Sequence, residues 1–311
     1  MTVLVTGANG FVGRWLVRAL VAAGHSVIAA AGPGVAAPAD LVAAPVRWTA
    51  LDLLDARSVD GIAGEPADAV VHLAGLASGV ESLADPARAW EVNAVGTARL
   101  LGALGTRRSR GDADPLVLVV STAEVYGAAG HPLRETDPVR PRSPYAASKA
   151  GAELAAAETA ARTGLRVIVA RAFPHTGPGQ DGRFVAPALA QRLLAARRSG
   201  ARVVKVGNLD ATRDLLDVRD VAAAYLALLA QGRAGETYNV ASGTGTRLRD
   251  LFDRLAAIVG VDAIAEVDAA LMRPSDLPVL VGDPGKLRAA GWAPAIALDT
   301  TLRDLVDAEA H

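Results

Sequence analysis

Short runs of residues that are apolar throughout recur along the first half of the chain, with helical patterns between them. The runs are VLVTG, HSVIAAA, VRWTALDL, DAVVHLAG and PLVLVVST, and RVIVARAF over residues 166–173 predicts a sixth strand. Strands that are buried on both faces and joined by helices indicate a parallel sheet covered by helices. The sequence therefore predicts an α/β fold, a Rossmann-type doubly wound parallel sheet with a smaller mixed α/β region.

A change in texture after residue 173 marks the end of this repeating pattern. The segment that follows, PHTGPGQDGRF, is rich in glycine and proline, and the later elements are shorter. A helical pattern over residues 217–230 and the strand-like ETYNVASG predict that a segment, about 215–242, returns to the sheet. We expect a main domain over 1–173 with this return segment, and a second region over 174–214 and 243–311.

Composition and charge exclude several classes of function. The 311 residues include 32 basic and 33 acidic side chains, a balance that favours neither nucleic acid nor a membrane surface as a partner. There is no cysteine, and none of the five histidines pairs at metal-ligand spacing, so we expect no metal site. Without a signal peptide or a long apolar segment, the expected location is the cytoplasm.

The turn after the first strand, TGANGFVG, carries three glycines and opens directly into an amphipathic helix. Glycines there let the backbone approach a pyrophosphate, and the helix N-terminus supplies free N–H groups. The alternative is a tight strand-to-helix turn with no ligand, but the strand before and the helix after favour a dinucleotide. The expected cofactor-binding residues are Gly7, Gly10, Phe11, Val12 and Gly13, which makes residues 1–173 the NAD(P)-binding domain.

The end of the second strand bears on the choice between NADP and NAD. That region reads AAAGPG and has no acid to bind a ribose 2'-hydroxyl or repel a 2'-phosphate, while Arg14 stands beside the glycine turn. The pattern slightly favours NADP, and NAD stays open. Asp52 and Leu53, after the third strand, are candidates to hold the adenine; the alternative for Asp52 is a helix N-cap.

The stretch SPYAASKAG brings together residues suited to proton transfer. Ser143 is a good helix cap and Pro144 a good first residue, so Tyr145 and Lys149 are expected one turn apart on one face. An ammonium close to a phenol would lower the pKa of Tyr145 from its usual value of about 10 toward the working range of a general acid or base. Lys149 could also hold the nicotinamide ribose. The alternative is a solvated helix face.

A hydroxyl pair at the end of LVLVVST points to the same chemistry. Thr122 is expected at the carboxyl end of a central strand, where open parallel sheets bind their ligands. Its hydroxyl would hydrogen-bond the substrate oxygen that Tyr145 protonates. The alternative is that Ser121 and Thr122 only terminate the strand and cap backbone groups.

Taken together, these motifs resemble a known family. TGANGFVG, the DL after the third strand, HLAG, NAVGT, STAEVYG and SPYAASK occur in the order and spacing of the extended short-chain dehydrogenase/reductases, the NAD-dependent epimerase/dehydratase family. RAFPHTGPGQ, VGNLDATRD, DVRDVAAAY, YNVASG and RPSDLPVLVGDPGKL are similar to its branch of GDP-mannose 4,6-dehydratases and GDP-4-dehydro-6-deoxy-mannose reductases.

The resemblance implies a bound NADP or NAD and a Thr122, Tyr145 and Lys149 triad. It further implies cofactor contacts from the HLAG turn and a loop histidine, namely Leu73, Ala74, Gly75 and His175. A nucleotide-diphosphate sugar, GDP-linked in this branch, would lie between the two regions, which makes the second region the substrate-binding one. The resemblance also implies a homodimer paired through the helices near residues 86–104 and 143–163.

The branch supplies further candidates for substrate binding. Arg213 and Arg273 match its phosphate-binding arginines, Asp276 would lie near a ribose, and Gln180 near the sugar or the nucleotide. The alternative for a loop arginine is a solvated side chain or one paired with an adjacent acid such as Asp214. Pro174 departs from the pattern by replacing an asparagine, which removes an amide contact to the substrate.

The residues at positions 123 and 124, which follow the central strand, help to distinguish between the possible reactions. Glu124 matches the base of a 4,6-dehydratase, but Ala123 stands where such enzymes carry an acid or a hydroxyl. A ketoreductase needs neither group, so we interpret Glu124 as an inherited or substrate-binding residue that could still serve as a base. The leading hypothesis is a 4-ketoreductase; the alternatives are a dehydratase or 4-epimerase with a recycled cofactor, and a noncatalytic NAD(P)-binding sensor or scaffold.

Overall fold

A computed structural model describes residues 1–41, 45–272 and 277–310. The strands are β1 (Thr2–Thr6), β2 (Ser26–Ala31), β3 (Val46–Ala50), β4 (Ala69–His72), β5 (Leu116–Thr122), β6 (Arg166–Ala172), β7 (His175–Thr176), β8 (Val203–Val206), β9 (Thr212–Asp214), β10 (Leu216–Asp217), β11 (Thr237–Val240), β12 (Gly245–Arg247), β13 (Ile264–Val267) and β14 (Val279–Leu280). The helices are α1 (Phe11–Ala22), α2 (Ala56–Ala63), α3 (Gly79–Ala84), α4 (Pro86–Trp90), α5 (Gly96–Arg110), α6 (Pro144–Thr163), α7 (Val185–Ser199), α8 (Val218–Gln231), α9 (Leu248–Val259), α10 (Gly285–Ala289) and α11 (Leu298–Ala310).

Seven parallel strands form the central sheet, in the order β11-β6-β5-β4-β1-β2-β3. The predicted α/β fold class is confirmed, and ETYNVASG does return to the sheet, where β11 pairs with β6. The chain runs outward from β1 to β3 and then crosses back to β4 on the other side of β1. This reversal creates a crevice at the carboxyl ends of β1 and β4, where open α/β sheets bind ligands.

Helices cover both faces of the sheet, as its apolar strands require. On one face α1 and α8 bury Leu16, Leu20 and Leu228 against the sheet. On the other face α2, α5 and α6 bury residues such as Ile62 and Leu101. Within the described part of the chain, every helix is too short or too polar to cross a bilayer.

A separate apolar core lies in the later part of the chain. Leu193 of α7, Phe252 of α9 and Leu305 of α11 are fully buried in it, together with Val206 of β8. Short strands accompany this core, namely the parallel pair β8–β13 and the three-stranded sheet β12-β9-β14. Most of this core falls where the sequence predicts the substrate-binding region.

The helix expected near residues 86–104 is interrupted by a wider turn. After α4, residues Glu91–Val95 form a π-helical turn before α5 begins at Gly96. Inside that turn the Asn93 amide bonds both backbone groups of Leu76, and a Cβ on Gly96 would lie 2.9 Å from the Leu53 Cβ. The wider π turn thus coincides with the Asn93 contacts to Leu76 and with a close helix contact at Gly96, neither of which a regular helical pattern predicts.

Candidate active site

The glycine turn after β1 is shaped by close backbone approaches. Gly7 has φ 69°, and a Cβ there would lie 2.8 Å from the Ala74 nitrogen in the turn after β4. A Cβ on Gly13 would overlap the Gly7 carbonyl oxygen and lie 2.8 Å from Ala8 Cα. Gly10 is exposed and precedes the first turn of α1, so Phe11 and Val12 begin the helix with no capping side chain in the way. The turn fits a pyrophosphate, which backbone N–H groups at a helix N-terminus bind well.

The residues after β3 differ in what they offer the crevice. Asp52 Oδ1 accepts a hydrogen bond from the Leu54 nitrogen (2.9 Å), and Leu53 is buried in the core against Gly96. The alternative in which Asp52 caps the next helix is wrong, because Asp55 accepts from the first-turn nitrogens of α2. Asp52 is therefore the polar group at this strand end, while the Leu53 side chain offers little surface to a ligand.

The turn after β4 lies between the glycine turn and α6. Leu73 and Ala74 are partly exposed and Gly75 is exposed. The Ala74 nitrogen donates to Thr6 Oγ1 (3.1 Å), which fixes the turn against β1. A Cβ on Gly75 would lie 3.9 Å from Lys149 Nζ. The HLAG turn and the glycine turn therefore line the same crevice as the lysine.

A buried polar network beneath this turn escaped the sequence analysis. The Thr97 hydroxyl donates to the Asn93 carbonyl (2.6 Å) and so accepts from His72 Nε2 (2.9 Å), which leaves Nδ1 to accept from Thr6 Oγ1 (2.8 Å). Burial, and then the charge of Lys149, lowers the pKa of His72 to about 3. His72 is therefore a neutral side chain that links Thr6 and Thr97 beneath the site. HLAG and NAVGT contained the signal, since a histidine inside a buried strand needs partners.

The structure brings Thr122, Tyr145 and Lys149 to one edge of the sheet. Ser143 caps α6 by accepting from the Ala146 nitrogen (3.1 Å), so Tyr145 lies in the first turn. Its phenol hydrogen-bonds the side chain of Thr122, the last residue of β5. Lys149 Nζ donates to the Val120 carbonyl of the same strand (2.6 Å).

Thr122 serves the backbone as well, because its Oγ1 accepts from the Glu124 nitrogen (3.3 Å). The capping role considered for this hydroxyl thus coexists with its contact to Tyr145. Both interactions hold the hydroxyl at the strand end.

The expectation that Lys149 lowers the pKa of Tyr145 is wrong. Burial raises that pKa, the nearby charge of Glu124 raises it further, and the Thr122 hydrogen bond opposes them. Burial also lowers the pKa of Lys149 to about 8, against the opposing charge of Glu153. The phenol at position 145 is therefore neutral near pH 7 and holds a proton that it can donate.

The turn after β5 contains an alanine and an acid that lie in different surroundings. Glu124 is partly exposed and acts on the pKa of Tyr145 from close range. Ala123 is fully buried beside Phe173 and Tyr126. Position 123 therefore supplies neither an acid nor a hydroxyl to the site.

The loop after β6 folds over the start of α1. The His175 ring stacks on Phe11, with centroids 6.1 Å apart and an interplanar angle of 7°. Its Nδ1 lies 2.9 Å from the Phe173 carbonyl oxygen, and burial lowers the pKa of its imidazole. Gln180 is 7% exposed and donates to the His175 carbonyl (2.9 Å), while its Oε1 is buried and has no hydrogen-bond partner among the described residues. His175 thus contacts the first residue of α1, beside the glycine turn, whereas the Gln180 amide braces the loop.

Of the remaining substrate candidates, the structure describes Arg213, which lies on β9. Arg213 Nη1 donates to the carbonyls of Thr212 (2.9 Å) and Leu277 (2.7 Å). Asp214 is buried and accepts from Ser242 and from the backbone of the neighbouring loops. Arg273 and Asp276 lie outside the described residues. Over the described ranges, no three histidine, aspartate or glutamate side chains come together as a metal-ligand set.

A parallel sheet with a glycine cradle at its crevice, and a threonine, a tyrosine and a lysine above it, defines a dinucleotide-dependent oxidoreductase of the short-chain type. Residues 3–241 match the sequences described as the NAD dependent epimerase/dehydratase family. The chain belongs to this family and is an NAD(P)-dependent enzyme of the extended short-chain dehydrogenase/reductase type.

Individual relatives agree with that assignment. The chain is 39% identical over 308 residues to GDP-6-deoxy-D-mannose reductase from Pseudomonas aeruginosa, covering 97% of this chain and 95% of the relative. The structure of RMD from Pseudomonas aeruginosa complexed with NADPH is 34% identical, with a TM-score of 0.83 over 99% of this chain and 98% of that one. A UDP-glucose 4-epimerase of Thermus thermophilus in complex with NAD is 32% identical, with a TM-score of 0.87 over 100% and 99%. The family, the fold and the cofactor class expected from the sequence are confirmed.

Proposed function

We propose that the enzyme is a 4-ketoreductase that uses NAD(P)H to reduce a 4-keto-6-deoxy sugar linked to a nucleotide diphosphate, with GDP as the nucleotide. The observation that carries the proposal is a neutral Tyr145 phenol, hydrogen-bonded to Thr122 at the crevice. The residue after Thr122 is the buried Ala123, at a position where elimination would need an acid or a hydroxyl. The 39% identity to a GDP-6-deoxy-D-mannose reductase supports the same choice of reaction and nucleotide.

The proposed chemistry divides between the cofactor and three side chains. When bound, the reduced nicotinamide supplies a hydride. Tyr145 donates its proton to the substrate carbonyl oxygen, because burial and Glu124 keep the phenol protonated. Thr122 positions that oxygen with its hydroxyl. Lys149, with a pKa of about 8, is mostly an ammonium near neutral pH and binds the nicotinamide ribose.

Four parts of the chain would hold the rest of the cofactor. The pyrophosphate would bind the glycine turn, and the adenine end would lie near Asp52 and Leu53. Leu73, Ala74, Gly75 and His175 would line the remaining wall. NADPH is the proposed form, since β2 ends at Ala31 and is followed by GPG without an acid to repel a 2'-phosphate. Arg14 beside the glycine turn donates to the Gly179 carbonyl (3.2 Å).

The substrate would bind between the sheet edge and the later core, over 174–214 and 243–311. Arg213 donates to the carbonyl of Leu277, the first described residue that follows Arg273 and Asp276 in the chain. We propose that Arg213 and Arg273 bind the diphosphate, that Asp276 binds a ribose, and that Gln180 shapes the sugar subsite. Cationic and N–H donors of this kind are what a diphosphate requires.

A dehydratase or 4-epimerase is the second candidate, because Glu124 on the turn after β5 supplies a carboxylate whose charge acts on the Tyr145 phenol. Replacement Glu124→Gln separates the two. A reductase should lose less than about tenfold in kcat, whereas an elimination that depends on this base should fall by about 10²–10⁴-fold. NADPH consumption with a GDP-linked 4-keto-6-deoxy sugar measures the first, and water loss from GDP-mannose measures the second. Water loss from GDP-mannose without net NADPH consumption in the wild type, and a fall of that water loss by about 10²–10⁴-fold in this variant, would favour a dehydratase.

We also propose a homodimer that pairs through α4, α5 and α6. Trp90 on α4, Val95 in the π-helical turn and Leu154 on α6 expose 45%, 44% and 73% of their surface, and exposed large apolar groups are typical of contact surfaces. A Cβ on Gly151 would lie 2.7 Å from the Trp90 ring, so a glycine lets the two helices pack closely beneath that surface.

Leu154→Arg is expected to convert the dimer into a monomer, because it places a charge at the most exposed of these apolar residues. The helix should tolerate the arginine, since Glu158 lies one turn further on. Light scattering coupled to size exclusion measures the mass. Val267→Arg is the matched control, since Val267 is 56% exposed on β13 and should leave the mass unchanged. Equal masses for wild type and Leu154→Arg would contradict the proposed interface.

A further inference from the structure

We propose that Glu153 is a positioning residue: it keeps Lys149 charged and locks the end of β5 to α6. The proposal rests on the function proposed above, because it concerns the lysine assigned to the cofactor ribose. Glu153 follows Lys149 by one helical turn on the same face of α6, as Lys149 follows Tyr145. This third member of the series touches neither the crevice nor the substrate in the arrangement described above.

Glu153 ties three elements together. Its Oε1 accepts from the Ser121 hydroxyl (2.5 Å), one residue before Thr122. Both of its oxygens accept from Arg171 of β6, and the shortest of these contacts is 2.7 Å. Ser121 and Arg171 are direct neighbours across the β5–β6 pair. The carboxylate therefore fixes the strand that carries Thr122 to the helix that carries Tyr145 and Lys149.

The ion pair is itself held rigidly. The side chains of Arg171 and Glu153 are only 7% and 12% exposed. The guanidinium lies 4.6 Å from the centroid of the Tyr126 ring, and the Tyr126 hydroxyl donates to Asn239 Oδ1 (2.7 Å). A buried pair with this many partners is a fixed source of charge rather than a mobile surface contact.

Glu153 is the carboxylate that acts on Lys149. Burial lowers the pKa of the ammonium and Glu153 raises it. Of the other ionisable groups around the lysine, His72 on β4 and Tyr145 on α6 are neutral near pH 7, and Glu124 lies on the turn beyond β5. Charged groups on other helices that pack against α6 are engaged with partners at the surface. They include Glu81 on α3 with Arg183, Arg88 on α4 with Glu91, and Arg99 on α5 with the Leu54 carbonyl.

The sign of the effect follows. The pKa of Lys149, about 8, includes the stabilisation that Glu153 gives to the charged form. Removing the negative charge lowers this pKa and leaves Arg171 unneutralised nearby, which acts in the same direction. Glu153→Gln should therefore deprotonate Lys149 at lower pH, so the alkaline limb of the kcat profile should move toward neutrality.

The lysine content of the chain makes a direct measurement possible. There are only three lysines, Lys149, Lys205 and Lys286. Protein labelled with ¹³C at lysine Cε should give three resolvable signals, and Lys149→Arg identifies the first. In Glu153→Gln, a pH titration without substrate should show the pKa of Lys149 lower by about one unit or more, with the other two signals unchanged. Glu153→Asp, which keeps the charge, should recover most of that shift.

The matched control is Glu158→Gln, the same substitution further along α6, where the carboxylate pairs with Arg162 at the surface. It should leave the titration of Lys149 unchanged. If Glu153→Gln does not fold because Arg171 is left unpaired, the double variant with Arg171→Gln removes both charges and should still titrate Lys149 below the wild type.

An unchanged pKa of Lys149 in folded Glu153→Gln, or in the double variant where the single one does not fold, would overturn the proposal. The titration does not depend on turnover, so it distinguishes this failure from that of the proposed function. If the pKa of Lys149 is lower in Glu153→Gln but the wild-type enzyme reduces no keto sugar, the role of Glu153 stands and only the proposed substrate is wrong.

Discussion

Tyr145→Phe is expected to lower kcat for reduction of a GDP-linked 4-keto-6-deoxy sugar by about 10²–10⁴-fold, the usual cost of losing a general acid. The phenol is the group whose proton is held in place by burial and whose oxygen contacts Thr122. The ring packs as before in phenylalanine, so binding of NADPH should change little. Steady-state NADPH consumption measures kcat, and fluorescence titration measures cofactor binding.

Tyr238→Phe is the matched control for this prediction. Tyr238 lies on β11, where its hydroxyl accepts from the Arg233 nitrogen (3.1 Å) away from the crevice. Loss of the Tyr238 hydroxyl should leave kcat within about twofold. A hydrogen bond away from the crevice contributes about 1 kcal/mol to stability and does not act on the reaction. A Tyr145→Phe enzyme that retains most of the wild-type rate would remove the phenol from the mechanism.

Gly13→Ala should abolish dinucleotide binding and destabilise the fold. The new Cβ would overlap the Gly7 carbonyl oxygen and lie 2.8 Å from Ala8 Cα, all backbone atoms of the turn that would hold the pyrophosphate. Backbone cannot rotate away as a side chain can, so we expect a loss of stability of at least about 1–3 kcal/mol. Denaturant unfolding measures the stability, and NADPH titration measures binding.

A second glycine-to-alanine substitution serves as a control, because it should change the stability in the opposite direction. Gly102 lies within α5, and a Cβ there would meet no atom within 4 Å. Gly102→Ala should therefore stabilise the protein by up to about 1 kcal/mol, because alanine restricts the unfolded chain and favours helix. A Gly13→Ala protein with wild-type NADPH affinity would show that the glycine turn is not the cofactor cradle.

Most of the central sheet could be predicted from the sequence because its inner strands are runs of buried apolar residues. β1, β4 and β5 are covered on both faces, and a buried parallel strand leaves an unbroken apolar signal. The start of α6 was also predictable, since Ser143 and Pro144 act locally at a helix N-terminus. Signals of this kind depend only on neighbouring residues in the chain.

The electrostatics of the site could not be predicted in the same way. The spacing of Tyr145 and Lys149 fixes their separation along α6, but not that the ammonium donates to the Val120 carbonyl on a strand. Burial, which dominates both pKa values, depends on elements distant in sequence. The pair of Glu153 with Arg171 was invisible for the same reason, because its members meet only after β6 docks beside β5.

The later region was the least predictable part of the fold. Strands β7, β10 and β14 contain two residues each, and β9 and β12 contain three, too few for any periodicity to show. Arg213 was a candidate from its motif, but its carbonyl partners belong to β9 itself and to Leu277, across the small sheet. Short strands of this kind are held by tertiary contacts rather than by local propensity.

The most direct test of the proposed function follows NADPH and sugar together in one reaction. Purified enzyme, NADPH and a GDP-linked 4-keto-6-deoxy sugar should consume cofactor and keto sugar in equal amounts and form a 6-deoxy sugar with a hydroxyl at C4. A tightly held cofactor that shows no net consumption, while GDP-mannose loses water or a nucleotide sugar inverts at C4, would contradict the account.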